Sequence, residues 1–202
     1  MRLGALIDVL FPPACANCDA IGSGLCERCF PHAEALQFTI GALHCIALGA
    51  YEGALRRAIL ALKSGRRDVA EALGVRLRPY VALADAVDAL IPVPTTTLRR
   101  RQRGFDQGEL LARVIARPSA VPVAAALVQI AGDAQRGRSR SERLAAVGRF
   151  SVVAASLGNA RRVILVDDVA TTGASLTDCA AALRAAGVTV TRAIVAACAG
   201  YG

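Results

Sequence analysis

The 202-residue chain lacks any apolar run close to the roughly 18 residues that a membrane-crossing helix needs, because Arg, Asp, Gly or Pro interrupts each one. A soluble protein is expected. The start, Met1 to Pro13, has one positive charge and an apolar stretch broken by Asp8, with no small-residue cleavage site before the cysteines, so a secretory leader is not expected. It reads as a short amphipathic helix packed on the rest of a cytoplasmic protein. Lysine is nearly absent: Lys63 is the only one, and it follows Leu62, which excludes the Gly-x-x-x-x-Gly-Lys-Ser/Thr phosphate loop of ATPases. A strand followed by Gly-x-Gly-x-x-Gly, the dinucleotide fingerprint, is also missing. Aromatic residues make up 4% of the chain, and only Phe105 and Phe150 lie near basic segments. That leaves little for stacking the bases of a single strand.

What is present is positive charge. The net charge of +8 and pI near 9.6 favour an anionic partner, be it a phosphorylated small molecule, nucleic acid or an acidic protein surface. The length suits one α/β domain of roughly 150 residues with a small appendage. Residues 1 to about 45 are cysteine-rich and lack a long periodic segment, so a boundary is expected near residue 48, separating an N-terminal module (1–48) from the main domain (49–202).

In the main domain, Leu55, Ile59, Leu62, Val69, Leu73 and Leu77 recur at helical steps, with Lys63 to Arg67 dividing two helices. Ala86 to Pro94 reads as a short buried strand ending in a Pro-Val-Pro turn, and Gly108 to Ala116 as a helix. Val121 to Ile130 fits strand or helix equally. Arg161 to Asp167 is a β-branched run with no polar alternation, as in a central parallel strand covered on both faces. Gly173 to Ala186 follows as a helix, stopped by Gly187, and Val188 to Ala197 as another strand. This strand-helix-strand order implies a sheet that is at least partly parallel.

Asp167 and Asp168 stand at the carboxyl end of that central strand, where parallel sheets bind ligands. The following Ala170-Thr-Thr-Gly-Ala-Ser175 offers small residues, hydroxyls and backbone N–H groups that can close around a phosphate at a helix start. Two carboxylates beside such a cradle can accept hydrogen bonds from the vicinal hydroxyls of a ribose. The competing reading is a helix cap at Thr171 or Thr172 beside solvated acids. Hydrophobic strand, Asp-Asp-Val, one residue, then Thr-Thr-Gly-Ala-Ser resembles the phosphoribosyl diphosphate (PRPP) motif of type I phosphoribosyltransferases. The resemblance implies that Asp167 and Asp168 contact the ribose, that Ala170, Thr171, Thr172, Gly173, Ala174 and Ser175 hold the 5-phosphate, and that Mg²⁺ accompanies the bound PRPP.

Two arginine clusters follow the same logic. Arg99 to Gln107 comes just after Ile91-Pro-Val-Pro94, and guanidinium forks suit phosphate oxygens. Gln135 to Arg143, punctuated by Gly and Ser, reads as a mobile basic loop able to close over a bound diphosphate. Solvated surface charge is the plain alternative for both. Tyr51-Glu-Gly-Ala-Leu-Arg, Leu62-Lys63-Ser-Gly, Pro92-Val-Pro, Arg103-Gly-Phe, Glu142-Arg143 and Asp167-Asp-Val-x-Thr-Thr-Gly173 occur in the order of the ComF family, which the chain resembles from Phe11 to its last strand. Those are bacterial phosphoribosyltransferase-like proteins linked to competence and DNA uptake. The resemblance implies an α/β fold with a mostly parallel sheet flanked by helices, and a small N-terminal zinc module. It also implies pyrophosphate held by Val93, Pro94, Thr95 and Arg103, with Lys63 near the phosphates. Transfer of ribose 5-phosphate to an acceptor is one expected function. A non-catalytic PRPP or nucleotide sensor, or an accessory protein handling single-stranded DNA with other DNA-uptake proteins, is the other. Two positions depart from the family pattern, Asp106 and Ala146, each where Asn is usual. A negative charge at 106 beside a pyrophosphate pocket calls for Arg101 or Arg103 to pair with it.

Cys15-x-x-Cys18 and Cys26-x-x-Cys29 are two tight turns whose four thiolates can complete a tetrahedral Zn²⁺ site. A segment this short cannot bury enough apolar surface to fold alone, so the metal would supply the missing free energy. Cys45, Cys179 and Cys198 read as buried fillers, and His32 and His44 as packed or surface side chains rather than ligands.

Overall fold

A computed structural model of the chain describes residues 12–31, 34–82, 86–119, 121–130 and 143–200. Five strands form the main sheet: β1 (Leu36–Ile40), β2 (Leu43–Ala50), β3 (Ala89–Pro92), β7 (Arg162–Ala170) and β8 (Thr189–Cys198), in the spatial order β1-β2-β8-β7-β3. Only the β1–β2 hairpin is antiparallel; β2, β8, β7 and β3 run parallel. The expected mostly parallel sheet with flanking helices is therefore present.

Period-2 alternation divides the interior strand β7 between two cores. Val163 and Leu165 of β7 face one layer with Ile91, Ala193 and Val195, while Ile164 and Val166 face the other with Leu90 and Ile194. The second layer is covered by α1 (Gly53–Lys63), α2 (Asp68–Leu77) and α5 (Gln107–Ala116), through Leu55, Ile59, Leu62, Leu73, Leu77, Leu111 and Ile115. The first is covered by α7 (Ala174–Ala185) and a small antiparallel sheet ordered β4 (Leu127–Gln129), β6 (Phe150–Val153), β5 (Arg143–Val147). Short helices α3 (Pro79–Ala82), α4 (Thr97–Arg103) and α6 (Ala154–Leu157) complete the described elements.

Three segments sharpen the sequence expectations. The ambiguous 121–130 stretch contributes β4, paired with β6. The arginines of the first cluster lie on helix α4: the Thr96 hydroxyl accepts from the Arg99 N–H at 3.2 Å, and Gly104, at φ +75°, ends it. Strand β7 runs on through both acids to Ala170. Strand β1 and most of β2 lie ahead of residue 49 yet belong to the main sheet. The expected N-terminal helix falls on residues 1–11, outside the described residues, as do His32 and residues 135–142 of the second arginine cluster; the side chain of Ala146 is likewise not described.

The cysteine-bearing segment 12–31 docks on α1 and α2 through polar ties. Nη2 of the buried Arg76 donates to the Leu25 carbonyl at 3.0 Å and to Glu27 at 2.6 Å, and Arg66 donates to the Ala14 carbonyl. Gly24 lies so close to α2 that a Cβ there would stand 2.7 Å from the Val69 Cα and 2.8 Å from its nitrogen. Backbone cannot rotate out of the way. Gly24→Ala should therefore destabilise the chain by about 1–3 kcal/mol, the usual cost of overpacking, read as a lower Tm in thermal melts; an unchanged Tm would contradict this docking.

Candidate functional site

Because β3 and β7 are parallel, both end at the same edge of the sheet, and a cavity of about 480 Å³ opens there. Gly108 in the first turn of α5 makes the approach possible. A Cβ at that position would lie 3.0 Å from the Val93 carbonyl oxygen and 3.2 Å from that of Val166, so glycine lets α5 start tight against both strand ends. Asp106 fixes the same junction. Its Oδ1 accepts from the Glu109 N–H at 3.0 Å and its Oδ2 from the Thr95 N–H at 2.8 Å, capping α5 and tying it to the Pro-Val-Pro turn. The expected pairing of Asp106 with Arg101 or Arg103 is thus replaced by two backbone donors, and at 7% exposure this carboxylate is a structural clasp.

Val93, Pro94, Thr95 and Arg103 line one end of the cavity, and Thr171 and Ser175 another part of its wall, with Asp167, Asp168 and Lys63 also lining it. Ala170, Thr172, Gly173 and Ala174 are not among the lining residues. They shape the loop instead: Ala170 is buried, Thr172 Oγ1 accepts from the Ala174 N–H at 3.4 Å, and Gly173, at φ +73°, turns the chain into α7. Lys63, the last residue of α1, places Nζ 3.0 Å from Asp168 Oδ2 and 5.9 Å from the Tyr51 ring centroid. It is both a helix-end lysine and a cavity residue, and its charge is directed at an acid.

Asp167 is held differently. Burial, and next the charge of Asp168, push its carboxyl well above the usual carboxylate range, against the opposing effects of the Asp168 N–H, which donates to Asp167 Oδ1 at 2.8 Å, and Lys63. The pair therefore resists carrying two negative charges when no cation or hydroxyl faces it.

Several cavity residues had no sequence signal of their own. Gln107 is 3% exposed; its Oε1 accepts from Arg103 Nη1 at 3.0 Å, which steadies that guanidinium, while Nε2 meets no acceptor among the described residues. Gln129, Arg149 and Phe150 come from β4, the turn before β6 and β6, segments whose pairing the sequence left open. Tyr51 was noticed only as part of the family pattern.

The four cysteines of segment 12–31 converge, with all their sulfurs within 4.8 Å of one another and Cys18 and Cys26 at 3.7 Å. A tetrahedral four-thiolate site with bonds of about 2.3 Å needs sulfurs about 3.8 Å apart, so Cys15, Cys18, Cys26 and Cys29 could hold a metal ion. Donors already point at the sulfurs: Asn17 Nδ2 at 3.1 Å from Cys29, Arg28 Nη2 at 3.5 Å from Cys18, and the N–H groups of Asn17 and Cys26 at 3.5 Å from Cys15. Cys45, Cys179 and Cys198 are buried apart from this cluster.

The chain is similar to competence protein ComFC of Bacillus subtilis, at 36% identity over 87 residues, covering 43% of this chain and 34% of that protein. It is also similar to competence protein F of Haemophilus influenzae, at 34% identity over 121 residues, covering 54% of this chain and 53% of that one. The chain thus spans at most about half the length of these curated relatives, and they support the ComF resemblance. No family model matches the chain. Among solved structures, an adenine phosphoribosyl transferase from Trypanosoma brucei, in complex with AMP, pyrophosphate and ribose-5-phosphate, gives a TM-score of 0.44 at 12% identity over 83% of this chain and 87% of that one. A likeness that loose carries no argument.

The raised Asp167 pKa fixes the sign of a pH effect. A carboxyl whose folded pKa lies above its unfolded value favours folding while protonated, and that contribution is lost as pH rises from the ordinary value of 3.8 through the folded pKa. Asp167→Asn removes the titration and keeps an oxygen for the Asp168 N–H. It should raise the Tm of the ligand-free protein at pH 7.5, with a gain that shrinks toward pH 4; a gain independent of pH would contradict the assignment.

Proposed function

We propose that this ComF-like chain binds PRPP and is a phosphoribosyltransferase-like protein linked to bacterial competence and DNA uptake, acting in the cytoplasm. The observation that carries the reading is the convergence of two adjacent carboxylates, the Thr171–Ser175 loop and the Val93–Thr95 turn with Arg103 on one cavity. Asp167 and Asp168 accept hydrogen bonds from the ribose hydroxyls. The N–H groups and hydroxyls at the start of α7 receive the 5-phosphate, and Arg103, steadied by Gln107, receives the diphosphate with the turn.

Mg²⁺ bound with PRPP would supply neutralisation of the diphosphate charge. If the protein turns over, the bond from ribose C1 to the diphosphate oxygen breaks through an oxocarbenium-like transition state, and C1 bonds to an acceptor. The chain's own part is to hold both ends of the ligand while the acids fix the sugar between them. The cysteine cluster takes Zn²⁺ as a structural metal, a reading supported by four sulfurs within 4.8 Å of one another.

A second reading is an accessory role with single-stranded DNA or DNA-uptake proteins, in which the pocket senses PRPP or a nucleotide. It draws on α4, whose Arg99, Arg100 and Arg101 are exposed beside Leu98, with Arg99 lining the cavity.

Calorimetry with PRPP and Mg²⁺ decides the first reading. Each hydrogen bond to an ionised carboxylate is worth about 1.5–3 kcal/mol, so the Asp167→Asn/Asp168→Asn double variant should bind at least about tenfold more weakly than wild type. A folded wild type that does not bind PRPP would remove the transferase reading.

A further inference from the structure

Among the described residues four cations line the cavity, and they are not equivalent. Lys63 is committed to Asp168. Arg99 and Arg103 stand on α4 beside the Val93–Thr95 turn. Arg149 comes from the turn between β5 and β6, and it stands by the start of α7.

That placement is built by the turn. Gly148, at φ +59°, brings the backbone so close to α7 that a Cβ would lie 3.1 Å from the carboxyl carbon of Asp178. Arg149 Nε then donates to Asp178 Oδ2 at 2.9 Å, and the guanidinium carbon lies 5.7 Å from the Phe150 ring centroid. With Nε and the ring face holding the group, Nη2 lies 3.5 Å from the Oγ of Ser175, the hydroxyl that lines the cavity at the phosphate loop. The side chain is 48% exposed, so the fork keeps donors open to a ligand.

We infer that Arg149 is a ligand-binding residue. It reaches across from the small sheet to grip the phosphoryl group seated on the Thr171–Ser175 loop, so that the site selects ligands carrying an anion at each end and a diol between them. The inference rests on the PRPP reading and adds a guanidinium clamp outside the loop, drawn from an element that also covers α7. A planar fork suits two oxygens of one phosphoryl group, and the Asp178 anchor orients it before the ligand arrives.

The alternative is a surface ion pair that joins the turn to α7, in which Arg149 and Asp178 matter equally and only to stability. The two differ in sign. Arg149→Gln removes the clamp, whereas Asp178→Asn keeps an acceptor for Nε and removes a negative charge near the phosphoryl group.

The test is calorimetric titration of wild type, Arg149→Gln, Arg149→Lys and Asp178→Asn with PRPP, ribose 5-phosphate and inorganic diphosphate, each with Mg²⁺, alongside thermal melts. Arg149→Gln should weaken PRPP and ribose 5-phosphate by about tenfold or more, the loss of a charge-assisted contact, and leave diphosphate within about twofold. Arg149→Lys should fall between it and wild type, and Asp178→Asn should bind PRPP as tightly as wild type or more tightly. If wild type binds PRPP and Arg149→Gln binds it equally well, the clamp is refuted and the PRPP reading stands. Equal losses for all three ligands, or parallel losses in Arg149→Gln and Asp178→Asn, also refute the clamp in favour of a structural pair. A wild type that binds diphosphate but neither ribosyl ligand overturns both.

Discussion

Two neighbouring carboxylates at the end of a strand with no solvent on either face set the terms for the rest of the molecule. Val163 to Val166 are fully buried, so β7 can deliver Asp167 and Asp168 only into the space its carboxyl edge leaves open. Like charges so close oppose joint ionisation, and the chain meets the cost in two ways. Asp168 receives the ammonium of Lys63, and the half-buried Asp167 has its carboxyl pushed up. A site made this way is poised for partners that donate hydrogen bonds or bring a cation, and ribose hydroxyls with Mg²⁺ do both.

Lys63 in turn depends on where α1 ends. The residues just before the helix are fixed by the Tyr51 N–H donating to the Cys198 carbonyl at 2.7 Å, so the helix begins at the carboxyl end of β8. Along its length Leu55, Ile59 and Leu62 are buried in the core, and Arg57 on another face donates to Asn17, whose amide reaches the Cys29 sulfur. One helix therefore reaches the cysteine cluster midway, through Asn17, and a cavity acid at its end. The cysteine segment is bound into the scaffold that aims the only lysine.

Much of this was legible in the sequence because it rests on local chemistry. A β-branched run without alternation marked β7, the apolar spacing marked α1 and α2 with the break at 63–67, and the paired Cys-x-x-Cys turns marked the cluster. The residues that lay hidden are placed by long-range pairing. Cysteine-rich composition and the lack of periodicity concealed β1 and β2, whose membership in the main sheet depends on β8, some 150 residues away. Asp106 looked like an unwelcome charge because its partners are backbone N–H groups, which leave no trace in residue identity. Gln107 and Arg149 carry no motif; burial against Arg103 and a tight turn against α7 give them their places.

The central claim is that one ligand spans this cavity, with a phosphoryl group at the start of α7, a diol at the acids and a second anion at the Pro-Val-Pro turn. Hydrogen exchange of the full chain with and without PRPP and Mg²⁺ tests it most directly, since a ligand held at both ends suppresses the local opening of both segments. The account predicts slowed exchange at residues 171–176 and 95–96 together, with the distant hairpin 36–48 unchanged. Protection at only one cradle, or spread evenly over the chain, would contradict it.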